Sequence, residues 1–124
     1  MRSGATLVLL AVGMALAVPA AAHWLQPEEI VAELNAPSVR DALGVTGASR
    51  DEKAPRLLVI RVGPRWFDLT AGIRRLQARD WTELWRHNVP AGIVAILDDH
   101  TARPVVQFDS TGAVAAIADR PPGS

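Results

Sequence analysis

Three histidines are the residues of this chain best suited to metal chemistry, and the first of them follows a cleavage signal. Ala20-Ala21-Ala22 is a small-residue A-x-A site of the kind that signal peptidase cleaves. Cleavage there would give His23 a free α-amino group beside its imidazole, and the two nitrogens form a bidentate chelate suited to Cu(II). Further imidazoles would come from His87 and His100, so the predicted metal ligands are His23, His87 and His100.

A histidine at the mature N-terminus resembles the histidine brace of copper-dependent polysaccharide oxygenases and of periplasmic copper carriers. The resemblance covers His23 alone, and it implies copper binding as the alternative to a protein that has no cofactor and works by binding a partner. The chain contains no cysteine, which excludes a thiolate metal site, a disulfide and a lipidated thiol after the leader.

The first 22 residues have the composition of a signal peptide. Arg2 supplies a positive start, and Leu7–Val18 is an apolar stretch. We therefore expect a mature protein that begins at His23 and is periplasmic or secreted. The alternative is an uncleaved anchor, because the run from Ala5 to Ala22 is about long enough to cross a bilayer.

A second polar cluster, Asp98-Asp99-His100, combines two carboxylates with an imidazole. Such a group could ligate a divalent cation or act as an acid–base pair. Its position between two predicted strands favours a polar connection in which Asp accepts hydrogen bonds from the turn backbone. A hydrolase would need an activated nucleophile, and no serine of the mature chain has the G-x-S-x-G context; these are Ser38, Ser49, Ser110 and Ser124. We therefore expect a non-catalytic protein.

The most extended candidate for binding is a basic, tryptophan-bearing segment from Arg56 to His87. Arginine and tryptophan are enriched at protein interfaces, and the combination also suits anionic lipid head groups. The alternative is structural, with Trp85 covering the sheet edge beneath arginine stems. The residues predicted to contact a protein partner are Arg65, Trp66, Arg75, Arg79, Trp85 and Arg86. A peripheral anionic membrane surface is a second candidate partner, whereas the balanced net charge and the export signal argue against nucleic acid.

These side chains would be positioned by a small α+β domain. The predicted order is two short helices followed by β-α-β-β-β, with one long helix across a face of a two-layer structure. We expect four regions: a signal peptide over 1–22, short helices and a surface loop over 23–55, an α+β core over 56–119, and a disordered tail over 120–124. The surface loop is predicted over Thr46–Pro55, and the predicted strands are Leu57–Val62, Ile93–Leu97, Val105–Phe108 and Ala113–Ile117.

The long helix is predicted over Ala71–His87, with Asp68 or Thr70 as its cap. Its predicted core residues are Ile73, Leu76, Trp81 and Leu84. Two short helices are predicted to begin at Pro27 and Ser38, the second ending at Gly44. The strand from Ile93 is apolar throughout, which favours a central position parallel to the strand before the helix.

Overall fold

In the computed structural model, which describes residues 25–123, the chain is an α+β domain, as the sequence predicts. Four helices and five strands follow in chain order over this range: α1 (Pro27–Leu34), α2 (Pro37–Leu43), β1 (Val45–Arg50), β2 (Leu57–Val62), α3 (Pro64–Asp68), α4 (Ala71–Asn88), β3 (Ile93–Asp98), β4 (Val106–Phe108) and β5 (Val114–Ile117).

The two short helices pack through few but large side chains. Helix α1 buries Ile30 and Leu34, and α2 buries Val39 and Leu43. The predicted start of α2 at Ser38 is wrong, because the helix begins one residue earlier, at a proline whose missing N–H is not needed there. Its predicted end is confirmed.

Gly44 ends α2 in the left-handed region, with φ at 76°. A β-carbon built on Gly44 would stand 2.3 Å from the backbone nitrogen of Trp66, so α3 approaches the chain here too closely for any side chain. This contact ties the short helices to the segment that follows β2.

The main sheet has the strand order β1-β2-β3. Strand β2 pairs antiparallel with β1 and parallel with β3, so the predicted parallel crossover through the long helix is confirmed. The predicted central position of β3 is wrong, because β2 lies in the middle. The side chains of β2 alternate between the two faces of the sheet with the two-residue period of a strand. Leu58, Ile60 and Val62 are buried on one face, and Arg61 is exposed on the other.

The surface loop predicted from Thr46 is wrong over its first five residues, which belong to β1. Gly47, Ala48 and Ser49 have low strand propensity, so the segment carries little local signal. Hydrogen bonds to residues distant in the sequence stabilise the strand instead. On one side it pairs with β2; on the other, Asn35 accepts from the Ala48 N–H at 3.0 Å and donates to the Ala48 carbonyl at 2.9 Å. The Asn35 side chain thus pairs with this edge of the sheet as a neighbouring strand would.

Strands β4 and β5 form a separate antiparallel hairpin. The hairpin is joined to the main sheet where Val105 donates its N–H to the carbonyl of Ile96 at 2.9 Å, beside a bridge between Leu97 and Pro104. Val105 and Val106 are buried, and they anchor the base of the hairpin in the core. From there the hairpin reaches over α4.

Helix α4 covers the buried face of the sheet, but with a different side from the one predicted. Its buried residues are Arg74, Ala78, Trp81, Thr82 and Trp85. At about 100° per residue these lie within one arc of the helix. Leu76 lies on nearly the opposite side and is 47% exposed, so its predicted core position is wrong. Leu84 is half-buried and packs against the core, whereas Ile73 is half-buried about 80° outside the arc; Trp81 is in the core as predicted.

Candidate functional site

Helix α4 presents three of its four arginines along one side because of where its core residues fall. The helix begins with the Thr70 side chain accepting a hydrogen bond from the Ile73 N–H at 3.2 Å, which confirms one of the two predicted caps. Arg75, Arg79 and Arg86 then lie within about 40° of one another around the axis. All three are exposed, next to the buried arc rather than opposite it.

The hairpin β4–β5 supplies a second wall facing these arginines. Between helix and hairpin lies an open groove with a volume of about 1010 Å³. It extends along α4 from Gly72 to His87, and its far wall is residues 111–114 of the hairpin. Leu76 and Val114 place apolar surface inside it. We call this feature the arginine groove.

Two of the three arginines reach across the groove. Arg75 donates from Nη1 to the Val114 carbonyl at 3.2 Å, and Arg86 donates from Nη1 to the Thr111 carbonyl at 3.0 Å. A guanidinium carries five N–H donors, and each of these bonds engages one of them. The bonds therefore fix the orientation of two cations while leaving donors for a ligand.

Arg79 lies between the two bridging arginines and is held differently. Its Nη2 is 3.6 Å from Asp80 and its Nε is 4.0 Å from Glu83, both on its own helix. These are exposed pairs, which contribute little to stability. Of these two carboxylates, only Glu83 lines the groove. Three guanidinium groups against one carboxylate give this wall of the groove an excess of positive charge.

The hairpin turn that forms the groove wall has its own hydrogen-bond network. Asp109 accepts from the Thr111 hydroxyl at 2.6 Å, from the Thr111 N–H at 2.8 Å and from the Ala113 N–H at 3.1 Å. These donors stabilise the ionised carboxylate, and they lower the pKa of Asp109 from its usual 3.8. Gly112 follows in the left-handed region, with φ at 87°, as the sequence predicts for this turn.

The two tryptophans predicted to contact a partner are inside the core. Trp66 and Trp85 are both 0% exposed, so neither can touch a docked molecule in this conformation. Trp66 stacks on Trp81 with ring centroids 5.5 Å apart, and Trp85 donates from Nε1 to the Arg56 carbonyl at 2.7 Å. Their role is structural, in agreement with the alternative interpretation of Trp85.

Arg65 is exposed but lies away from the groove. It is on α3, where its Nε donates to the carbonyl of Asp41 on α2. Of the six residues predicted to bind a partner, the structure therefore brings together Arg75, Arg79 and Arg86. Sequence reasoning missed the hairpin wall, because nothing in the spacing of Thr111 or Val114 shows that they face the helix.

The predicted metal ligands are not assembled among the described residues. His23 lies outside that range. His87 is at the last turn of α4, just before β3 begins, whereas His100 follows the end of β3. Since β3 spans about 20 Å, the two imidazoles are at opposite ends of the sheet. Residues 25–123 contain no group of three or more His, Cys, Asp or Glu side chains placed to hold a metal ion.

The Asp98-Asp99-His100 cluster is part of a turn that follows β3, and the Asp98 carboxylate accepts hydrogen bonds from that turn. Asp98 is 5% exposed, and its Oδ2 accepts from the Thr101 N–H at 2.8 Å and from the Thr101 hydroxyl at 2.9 Å. This is the backbone-satisfying arrangement that the sequence favours. The cluster borders a smaller cavity of about 330 Å³, shared with Thr46 and Pro121.

Comparison with known proteins gives no match to a family model, to a curated protein or to a solved structure. In the part of the chain that the structure describes, no helix is both long enough and apolar enough to span a bilayer.

Proposed function

We propose that this protein is a small, non-catalytic, exported domain that binds an acidic segment of a protein partner in the arginine groove. The observation that carries the proposal is the arrangement of Arg75, Arg79 and Arg86 along one wall, with two of them already oriented by carbonyls of the other. Side chains ordered before binding lose less entropy when a ligand arrives. Arginine is also the side chain best shaped for two-pronged contacts with carboxylates.

A protein partner is favoured over a bare charged surface by the walls of the groove. Leu76 is a large apolar side chain, 47% exposed, placed among the arginines. Protein interfaces combine such an apolar contact with a charged rim. A flat anionic membrane would meet the helix and the hairpin tip but would not enter a groove between them. The peripheral membrane is therefore the alternative that the experiments must separate.

Export is the part of the proposal that depends on residues 1–22. The A-x-A site after an apolar stretch supports cleavage before His23 and a periplasmic or secreted mature chain. Intact-mass measurement of the exported protein should give a chain that begins at His23. Recovery of the full-length chain from the membrane fraction would show an anchored domain instead.

Charge reversal of Arg79 tests the proposed binding site. Arg79→Glu removes a groove cation that makes no bond to the hairpin, so the fold should be retained. Arg61→Glu, on an exposed strand position of the opposite sheet face, is the matched control for net charge. In capture experiments with the exported fraction, Arg79→Glu should lose a partner that the wild type and Arg61→Glu both retain. Equal loss in the two variants would indicate a net-charge effect and contradict the proposed site.

Copper binding through His23 remains a second proposal, and one contact favours it. The backbone N–H of Leu25 donates to Oδ1 of Asn88 at 2.7 Å, next to His87. This bond holds Leu25, two residues after His23 in the sequence, at the end of α4 that carries His87. An N-terminal extension should weaken Cu(II) binding because it removes the primary amine. His87→Gln should also weaken it, and His100→Gln should not; equal affinity of all four forms would exclude this site.

A further inference from the structure

One carboxylate interrupts the row of cations along the arginine groove. Measured along α4, Arg75 and Arg79 are about 6 Å apart, and Arg79 and Arg86 are about 10 Å apart. Glu83 lies in the wider interval and lines the groove with them. Around the helix axis it is about 40° from Arg79 and about 60° from Arg86, so it belongs to the same side of the helix. The charges along this wall therefore follow the order plus, plus, minus, plus.

Glu83 is paired with Arg79 in the free protein. Its Oε2 is 4.0 Å from the Arg79 Nε, and the Glu83 side chain is 70% exposed. The cation precedes the anion in the sequence, which is the less favourable order for an i, i+4 pair in a helix. Because exposed pairs of this kind are weak, another carboxylate can displace Glu83 from Arg79.

The other two arginines of the groove are held by uncharged groups. Arg75 and Arg86 donate to carbonyls of the hairpin at 3.2 and 3.0 Å. A carbonyl oxygen carries no net charge, so these contacts add no repulsion against an incoming carboxylate. At Arg79 an incoming carboxylate is repelled by Glu83, which also uses the same guanidinium group.

We infer that Glu83 is a specificity-determining residue of the arginine groove and competes with the acidic residues of the partner for Arg79. The inference rests on the proposed function and adds the residue that limits its affinity. At a distance, Glu83 cancels part of the positive charge of the groove, so an anion that stays in solvent gains little. A carboxylate that reaches Arg79 replaces the weak internal pair with a new one. Glu83 therefore favours ligands that enter the groove over diffuse negative charge.

Asp80 provides a matched control on the same arginine. Its Oδ1 is 3.6 Å from the Arg79 Nη2, a shorter distance than in the Glu83 pair. Asp80 lies about 100° around the helix from Arg79, outside the lining of the groove. Asp80→Asn and Glu83→Gln each remove one negative charge and one ion pair from Arg79. Only Glu83→Gln changes the charge inside the groove.

The test is the affinity of a hexaglutamate peptide, measured by fluorescence anisotropy at low salt. We expect Glu83→Gln to bind the peptide about three- to tenfold more tightly than the wild type, and Asp80→Asn to stay within about twofold of it. In an Arg79→Gln background the gain from Glu83→Gln should fall below about twofold, because the arginine for which Glu83 competes is absent. Circular dichroism checks that each variant is folded.

The other outcomes separate the inference from the proposed function. If the wild type binds the peptide and Glu83→Gln binds it no more tightly, Glu83 does not compete for Arg79, and the acidic site remains without this role. An equal gain in Asp80→Asn, or a full gain without Arg79, would show a general effect of net charge and would also overturn the inference. If neither the wild type nor Glu83→Gln binds the peptide, the proposed function and the inference are both wrong. Binding to vesicles containing phosphatidylglycerol would then identify a membrane surface as the partner.

Discussion

Arg86 lies so close to Gly112 that a β-carbon built on the glycine would stand 2.0 Å from the Arg86 Nη1. The same nitrogen donates to the carbonyl of Thr111. The hairpin turn is therefore fitted around a guanidinium of the long helix. One arginine both holds the groove wall in place and supplies part of the charge that we propose binds a partner.

Substitution of Gly112 should separate the hairpin from the helix. Gly112→Ala forces a side chain into the left-handed region and against Arg86, and we expect it to lower the free energy of unfolding by about 1–2 kcal/mol. Gly72→Ala is the control in the same groove, since a β-carbon there meets nothing within 4 Å. In the helix it should stabilise by about 0.5–1 kcal/mol. Urea denaturation of the two variants measures both effects, and opposite signs are expected.

Arg74 and Arg75 are neighbours in sequence with different roles. Arg74 is 4% exposed and donates from Nη1 to the carbonyls of Leu69 at 2.6 Å and Phe67 at 3.3 Å. Arg74→Ala would leave part-buried carbonyls without a donor, so a loss of about 1–3 kcal/mol is expected. Arg75→Ala removes an exposed bond and should cost about 0.5–1 kcal/mol. A larger loss for Arg75 than for Arg74 would refute this assignment.

Substitutions of Leu76 and Trp81 test which side of α4 faces the core. Trp81→Ala should cost about 3–5 kcal/mol, because the ring is 2% exposed and stacks on Trp66. Leu76→Ala should change the free energy of unfolding by less than about 1 kcal/mol, because the side chain is half in solvent. Thermal denaturation distinguishes the two. Comparable destabilisation by both substitutions would mean that Leu76 is buried in solution.

The strands and helices with strong local patterns were predictable, and the reasons are visible in particular residues. β2 alternates cleanly, Thr70 caps α4, and the Asp109 turn contains the residue types that such a turn needs. β1 could not be predicted, because its strand conformation comes from Asn35 and β2 rather than from Gly47 or Ser49.

The site was predictable only in part, for a similar reason. The helical period correctly groups Arg75, Arg79 and Arg86 on one side. The predicted buried side of the helix was wrong because the prediction included Leu76 among the core residues and left out Ala78. A core formed by two tryptophans, an alanine, a threonine and the stem of Arg74 does not stand out in a pattern of large aliphatic residues. The groove wall also depends on tertiary packing, which brings the hairpin over the helix.

The stability of the hairpin turn should depend on pH through the carboxyl group of Asp109. Its carboxylate is stabilised in the folded state by the Thr111 hydroxyl and by the N–H groups of Thr111 and Ala113, which lower its pKa from 3.8. A lowered pKa means that this stabilisation is complete above the unfolded value and is lost as pH falls through the folded value. Carboxyl carbon NMR should give an Asp109 midpoint below 3.8, with the Thr111 amide shift following it. A midpoint at or above 3.8 would contradict the hydrogen-bond network.

The most direct test of the acidic-partner site is the affinity of an acidic peptide of alternating glutamate and valine residues, measured by calorimetry at several salt concentrations. Three proteins are compared: wild type, the groove variant with Arg75, Arg79 and Arg86 changed to Ser, and a control with Arg40, Arg61 and Arg103 changed to Ser. All three control arginines are exposed, and the change in net charge is the same. We predict that the wild type and the control bind with a salt-sensitive affinity and that the groove variant loses both the binding and the salt sensitivity. Unchanged affinity in the groove variant, with the fold intact by circular dichroism, would contradict the proposed site.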